Sequence, residues 1–185
     1  MALRNIVTEG DPILRKTCRP VGEVTPRIQM ILDDMVETMR DANGVGLAAP
    51  QVGIMRRMFV AEPEPERVYI FVDPEMVSLE GEQEGNEGCL SVPGYVGTVK
   101  RPEKIVIRGK DRYGKEKEYT FEGFDAVVMC TNSIIWKGSS IQIRQPKCLR
   151  QKNWKHRSRK KNETDLHGHP GLRGTSSGDA GGSGT

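Results

Sequence analysis

The distribution of charge limits how much of this chain can fold as one domain. Residues 1–130 carry 17 Lys and Arg against 22 Asp and Glu, whereas residues 131–185 carry 11 against 3. Between residues 144 and 161 nine cations occur without one acidic residue, and Gly and Ser dominate from residue 168 onward. Such a stretch buries too little apolar surface to offset the entropy of ordering. We therefore predict a folded domain over residues 1–130, and a disordered tail over residues 131–185 that is first basic and then Gly/Ser-rich.

Membrane and secreted classes are disfavoured. The sequence has no apolar run of the ~20 residues that a membrane-spanning helix needs, and its first residues lack the apolar core of a signal peptide. Four cysteines, at positions 18, 89, 130 and 148, follow no disulfide spacing. We expect a cytoplasmic protein whose thiols are reduced or bind a metal, with no membrane partner.

A helix is predicted after Thr25-Pro26, because a hydroxyl can cap the first turn and proline is tolerated at its first position. Asn43-Gly44 can end it. Apolar residues recur along one face at helical spacing, and we interpret this face as core: Ile28, Ile31, Leu32, Met35, Val36 and Met39.

Strand patterns follow this helix. We predict strands at 57–61, 68–72 and 76–79, separated by breaks at 62–65 and 73–74, and a hairpin of 104–108 with 117–121 around a turn at 111–114. Residues 124–130 have the composition to begin a second helix on that sheet. The fold class is therefore α+β.

Two short segments carry the chemistry. Gly44-Val-Gly-Leu-Ala-Ala-Pro-Gln51 combines small residues, which allow close backbone approach, with an amide that donates and accepts hydrogen bonds. Alone, it is equally typical of a turn after a helix. Glu87-Gly-Cys-Leu-Ser-Val-Pro93 contains Cys89, which alone is more typical of a buried structural thiol.

Together these two segments closely resemble the first two signature motifs of peptide deformylases. The resemblance implies an α+β fold of antiparallel sheets packed around helices, and a metal-dependent hydrolase that removes the formyl group from the N-terminal formylmethionine of newly made proteins. Such enzymes work in the cytoplasm during protein biosynthesis, near the ribosomal nascent-chain exit, and act on N-formylmethionyl peptides rather than DNA.

The resemblance also implies roles for individual residues. The amide of Gln51 and the backbone N–H of Leu90 would hold the oxyanion formed during hydrolysis, with Gly46 beside them. Cys89 would be one of three protein ligands to iron(II), or to zinc, nickel or cobalt. An ion pair of Glu87 with Arg101 would steady the strand. The implied peptide-binding residues are Gly44, Val45, Gly46, Glu87 and Gly88.

The family requires a third motif, and this chain lacks it. In the family, His-Glu-x-x-His-Leu follows Val-Met-Cys on a helix, where the two imidazoles complete the metal site and the glutamate is the general base. Here Thr131-Asn-Ser-Ile-Ile-Trp-Lys follows Cys130 instead. One thiolate should not hold a catalytic ion, so we expect poor metal binding and an inactive chain.

The genetic code offers an explanation for the missing motif. When codons from Cys130 onward are regrouped by one base, the permitted translations include His-Glu-Phe-Asp-His-Leu-Glu. The single codon of Trp136, followed by a lysine codon, forces the final glutamate. We therefore hypothesise that one base has been lost near the Cys130 codon, and sequencing the gene across this position tests the hypothesis.

The tail allows two other interpretations. Cys130, Cys148, His156, His167 and His169 are potential metal ligands, but scattered residues of a disordered tail explain them better. The cationic run at 144–161 could bind ribosomal RNA in a non-catalytic peptide- or ribosome-binding protein. It matches no RNA-binding motif and has few aromatic residues.

Overall fold

A computed structural model describes residues 2–135 and 149–150. Within these residues, helices α1 (Pro26–Asp41) and α2 (Gly123–Ile135) accompany eight strands, and short 3-10 turns lie at Pro12–Arg15 and Ala49–Val52. Of the predicted disordered tail, 131–185, only residues 131–135 and 149–150 are described. The candidate ligands Cys148, His156, His167 and His169 lie outside the described residues. The strands are β1 Gly46–Ala48, β2 Met58–Glu64, β3 Arg67–Glu80, β4 Gln83–Cys89, β5 Val92–Arg101, β6 Lys104–Lys110, β7 Glu116–Glu122 and β8 Leu149–Arg150.

Helix α1 forms as its sequence predicts. The hydroxyl of Thr25 accepts a hydrogen bond from the Ile28 N–H at 3.4 Å, which caps the first turn. The helix ends before Asn43, whose φ of 54° places it in the left-handed region. Leu32, Met35 and Met39 of its predicted apolar face are fully buried.

A five-stranded antiparallel sheet, in the order β1-β2-β3-β6-β7, forms the centre of the domain. Strand β2 is buried on both faces, so its alternating side chains enter two separate apolar clusters. The cluster with α1 holds Leu32, Met35, Met39, Leu47, Ala49, Val52, Met58, Val60 and Val72. The cluster with α2 holds Ala48, Phe59, Ala61, Tyr69, Phe71, Ile105, Ile107, Phe121, Ala126, Val128, Met129 and Ile135.

The predicted break at 73–74 was wrong, and the break predicted at 62–65 is present but shorter, at residues 65–66. Strand β2 runs to Glu64, and β3 continues through Asp73 and Pro74 to Glu80. The β3–β6 register shifts between Val72 and Glu75, and this irregularity accommodates a proline that has no N–H for the ladder. Pairing with β6 on both sides of the shift keeps the strand continuous.

No strand of the second sheet was predicted from residue patterns; the expected pair of Glu87 with Arg101 was the one indication of it. Strands β4 and β5 pair antiparallel, and β8 joins the other edge of β5. The predicted β6–β7 hairpin and the start of α2 are confirmed, but α2 runs five residues past Cys130 to Ile135. The α+β class with antiparallel sheets and helices is also confirmed. Neither helix in the described ranges has the length and hydropathy to span a membrane.

Candidate active site

The segment from Gly44 to Gln51 connects α1 to the centre of the domain. The Gly44 N–H bonds the Met39 carbonyl at 2.9 Å, and β1 then pairs with β2. A 3-10 turn follows, in which Gln51 is only 2% exposed. Gly44 packs closely on the second motif, because a Cβ at this position would lie 2.6 Å from Cδ1 of Leu90. This contact brings the two sequence motifs together.

Cys89 ends strand β4 at a register shift that separates it from Gly88. Burial raises the pKa of its thiol to about 11, although N–H groups of Ser91 and Val92 act to lower it. The sulfur accepts from the Ser91 N–H at 3.4 Å and lies 3.6 Å from Nε2 of Gln51. The two residues predicted to act as ligand and oxyanion donor are therefore neighbours.

The N-terminal segment crosses both motif loops. The Val7 N–H donates to the Gln51 carbonyl, and the Glu9 N–H donates to the Ser91 carbonyl, each at 2.7 Å. Sequence reasoning assigned no role to Val7, Glu9 or Ser91. The only available signal was Ser91, a polar residue between two apolar ones.

The predicted pair of Glu87 and Arg101 is present across β4 and β5. Arg101 donates twice to the carboxylate, at 2.9 and 3.0 Å, and both side chains are mostly buried. The Thr131 hydroxyl lies 2.9 Å from Glu87 Oε2 and also 2.9 Å from the Val127 carbonyl, so its one hydrogen is shared between the second sheet and α2 itself. Glu87 therefore has partners on two different elements.

The other predicted peptide-binding residues lie on the open side of the site. Val45 and Gly88 are exposed, while the Val45 carbonyl accepts from the Glu62 N–H at 2.9 Å. Gly46 is different, because a Cβ at this position would overlap with the side chain of Asn132 on α2. Its lack of a side chain is therefore explained by helix packing.

The end of α2 supplies no metal ligand. Thr131 bonds Glu87, Asn132 donates to the Val128 carbonyl at 2.8 Å, and Ile135 is buried in the apolar cluster. Among the described residues, no three His, Cys, Asp or Glu side chains are grouped so as to hold a metal ion. With Cys89 as the one soft donor at this place, the described residues do not fit a catalytic metal.

Comparisons with known proteins show the family to which the chain belongs. The family profile for polypeptide deformylase matches residues 3–132. Peptide deformylases of Agathobacter rectalis and Caldanaerobacter subterraneus subsp. tengcongensis are 51% and 50% identical over 132 and 130 residues; each alignment covers 70% of this chain, and 80% and 81% of the relative.

Solved structures that resemble this chain are also peptide deformylases. The crystal structure of a peptide deformylase from Legionella pneumophila aligns with a TM-score of 0.72 at 42% identity, covering 74% of this chain and 82% of that one. The enzyme from Thermus thermophilus aligns with a TM-score of 0.73 at 40% identity, covering 78% and 86%. The chain therefore belongs to the polypeptide deformylase family, metal-dependent hydrolases that remove the formyl group from N-terminal formylmethionine.

Proposed function

We propose that residues 2–135 form the scaffold on which N-formylmethionyl peptides are deformylated, and that this chain lacks the groups to complete the reaction. The observation that carries the proposal is the 3.6 Å approach of Gln51 Nε2 to Cys89 Sγ. It joins a buried amide donor to a largely buried sulfur donor where the two motifs meet. In this proposal Gln51 and the Leu90 N–H bind the oxyanion, and Cys89 is a metal ligand.

The peptide would lie along the open side of this site. Val45 and Gly88 are exposed there, and the backbone of Gly44 and Gly46 continues this side of the site. Glu87 is held by Arg101 and so supports the strand beside the peptide. We propose this surface as the peptide-binding edge.

The two imidazoles and the glutamate of the missing His-Glu-x-x-His motif correspond to three positions of α2. If His-Glu-x-x-His followed Cys130 directly, its residues would replace Thr131, Asn132 and Ile135. Thr131 lies beside Glu87, and Asn132 lies beside Gly46. The family profile also ends at residue 132, inside this helix. These placements support our hypothesis that a lost base near the Cys130 codon removed two imidazoles and the general base.

An assay of formylmethionyl-peptide hydrolysis tests both parts of the proposal. Three proteins are compared: the chain as it is, the protein made after inserting one base at the Cys130 codon, and the triple variant T131H/N132E/I135H. Each is loaded anaerobically with iron(II), the ion we propose, or with cobalt, nickel or zinc. We expect no turnover from the present chain and clear turnover from the frame-restored protein, lost again on C89A.

The outcomes separate the two claims. Appreciable turnover by the present chain would show that it is not impaired. A folded, metal-loaded, frame-restored protein without turnover would refute the proposed function. Activity of the triple variant alone would support the role of the three positions and contradict the frame hypothesis.

We further propose that the active form works in the cytoplasm beside the ribosomal exit, since its substrates are newly made chains. Co-sedimentation of the frame-restored protein with ribosomes tests this. The competing idea, RNA binding by the basic run at 144–161, concerns residues mostly outside the described ranges. Salt-dependent RNA binding that is lost on deleting 144–161 would favour that idea instead.

A further inference from the structure

The side-chain amide of Gln51 has a defined orientation. Its Oε1 accepts a hydrogen bond from the Ala48 N–H at 2.9 Å, within a turn that buries both residues. A backbone N–H can only donate, so this contact identifies the oxygen end of the amide. The Nε2 end must therefore face the other way, towards the second motif.

Two hydrogens on Nε2 have different partners. One points to the hydroxyl of Ser91, with a nitrogen–oxygen distance of 3.1 Å, and the other faces the sulfur of Cys89 at 3.6 Å. The contact with oxygen is an ordinary hydrogen bond, whereas sulfur is a weak acceptor. The hydrogen facing Cys89 is therefore the one available to a substrate oxygen.

Ser91 is itself held in place. Its residue is 1% exposed, its N–H donates to Cys89 Sγ at 3.4 Å, and its carbonyl accepts from the Glu9 N–H. The Val7 N–H holds the Gln51 carbonyl in the same way. Because Val7 and Glu9 are two residues apart on one segment, the loops of Gln51 and Ser91 are tied to a common support.

We propose that Ser91 is a positioning residue for the reaction. Its buried hydroxyl takes one hydrogen of the Gln51 amide and so directs the other towards the reacting oxygen. This inference rests on the proposed role of Gln51 in oxyanion binding. Without the hydroxyl, Nε2 has no oxygen acceptor among the described residues, and the Ala48 N–H alone orients the amide from its oxygen end.

The first test is nuclear magnetic resonance of the chain as it exists, with the Gln51 side-chain amide assigned by its loss in Q51E. We expect two separate hydrogen signals, one of them slow to exchange with solvent. In S91A that signal should shift, and its exchange should accelerate about tenfold, as for the loss of one hydrogen bond. S91T keeps the hydroxyl and should keep the signal.

S133A is the matched control, because Ser133 is equally buried but donates to the Cys130 carbonyl on α2. It should leave the Gln51 signals unchanged. Unchanged Gln51 signals in a folded S91A protein would overturn the proposal. Fast exchange of both hydrogens in the unsubstituted chain would overturn it as well, so the test does not depend on the folding of one variant.

The second test uses the frame-restored protein loaded with iron(II). Contacts made only in the transition state affect kcat rather than KM. S91A should therefore lower kcat about tenfold, within the range for a misplaced oxyanion donor, while KM changes less than about twofold. An unchanged kcat would overturn the proposal. An inactive frame-restored protein would refute the proposed function, while the magnetic resonance test would still decide the role of Ser91.

Discussion

The side-chain nitrogen of Gln51 lies 3.6 Å from the sulfur of Cys89, although 38 residues separate them along the chain. The contact joins the turn after β1 to the end of β4, which belong to different sheets. Backbone bonds from Val7 and Glu9 support the same pair of loops. An amide donor and a thiol thus meet at a site whose third part, the end of α2, carries Thr131 and Asn132.

The contact between Gly46 and α2 predicts the effect of adding one methyl group. In G46A the new Cβ would overlap with the Asn132 side chain, which is 5% exposed and bonded to Val128. We expect a loss of about 2 kcal/mol in the free energy of unfolding, measured by urea denaturation, as is usual for overpacking.

A matched control and a second substitution sharpen this test. G85A adds a methyl group on β4 where nothing lies within 4 Å, and should be much milder. The double variant G46A/N132A removes the overlapping side chain, so most of the loss should be recovered. Equal losses in the single and double variants would contradict the proposed contact.

Asp34 predicts a pH dependence of stability. The Ala2 N–H, and to a lesser extent the Arg4 guanidinium, hold the pKa of its carboxyl below the usual range despite burial. Because the folded pKa is lower than the unfolded value of about 3.9, this contribution is complete above that pH and is lost as the pH falls through the folded pKa.

Urea unfolding of the unsubstituted chain and D34N at pH 6, 4 and 3 measures this contribution. The difference between the two proteins should be largest at pH 6 and shrink towards pH 3. D41N changes an exposed acid of the same helix and should have little effect throughout. A difference that grows as the pH falls would contradict the assignment.

The buried pair of Glu87 with Arg101 should contribute more to stability than the exposed pair of Lys100 with Glu82 beside it. In R101A a mostly buried carboxylate would keep, among the described residues, only the Thr131 hydroxyl that it shares with the Val127 carbonyl, so we expect a loss of about 3 kcal/mol in the free energy of unfolding. K100A breaks the pair of Lys100 with Glu82, whose side chains are each 63% exposed, and should change the urea midpoint little. Similar midpoints for both variants would show that Glu87 gains other partners.

The thiol of Cys89 should react slowly at neutral pH. Burial raises its pKa to about 11, so in chelator-treated protein its alkylation rate should rise about tenfold per pH unit from pH 7 to 10, because the thiolate is the nucleophile. Mass spectrometry with iodoacetamide measures the rate, and C89S identifies the labelled site. A plateau near pH 8 would mean that a nearby cation stabilises the thiolate, against our account of an incomplete metal site.

Local patterns predicted much of the fold. Helix α1 follows from its cap and apolar face, and the β6–β7 hairpin from its turn. Strand β4 has neither an apolar alternation nor β-branched residues, so its pairing with β5 and the Arg101–Glu87 bond determine it. The continuity of β3 across Pro74 likewise depends on its pairing with β6, which no local pattern contains.

The sequence by itself determined the family and the loss of His-Glu-x-x-His, because a metal ligand is a property of the side chain that a codon specifies. Only the tertiary structure decided that Ser91 holds the amide of Gln51, and that residues 131 and 132 lie against Glu87 and Gly46. These contacts join segments about 40 residues or more apart in sequence. Their geometry depends on the packing of both sheets with α2, which no single segment encodes.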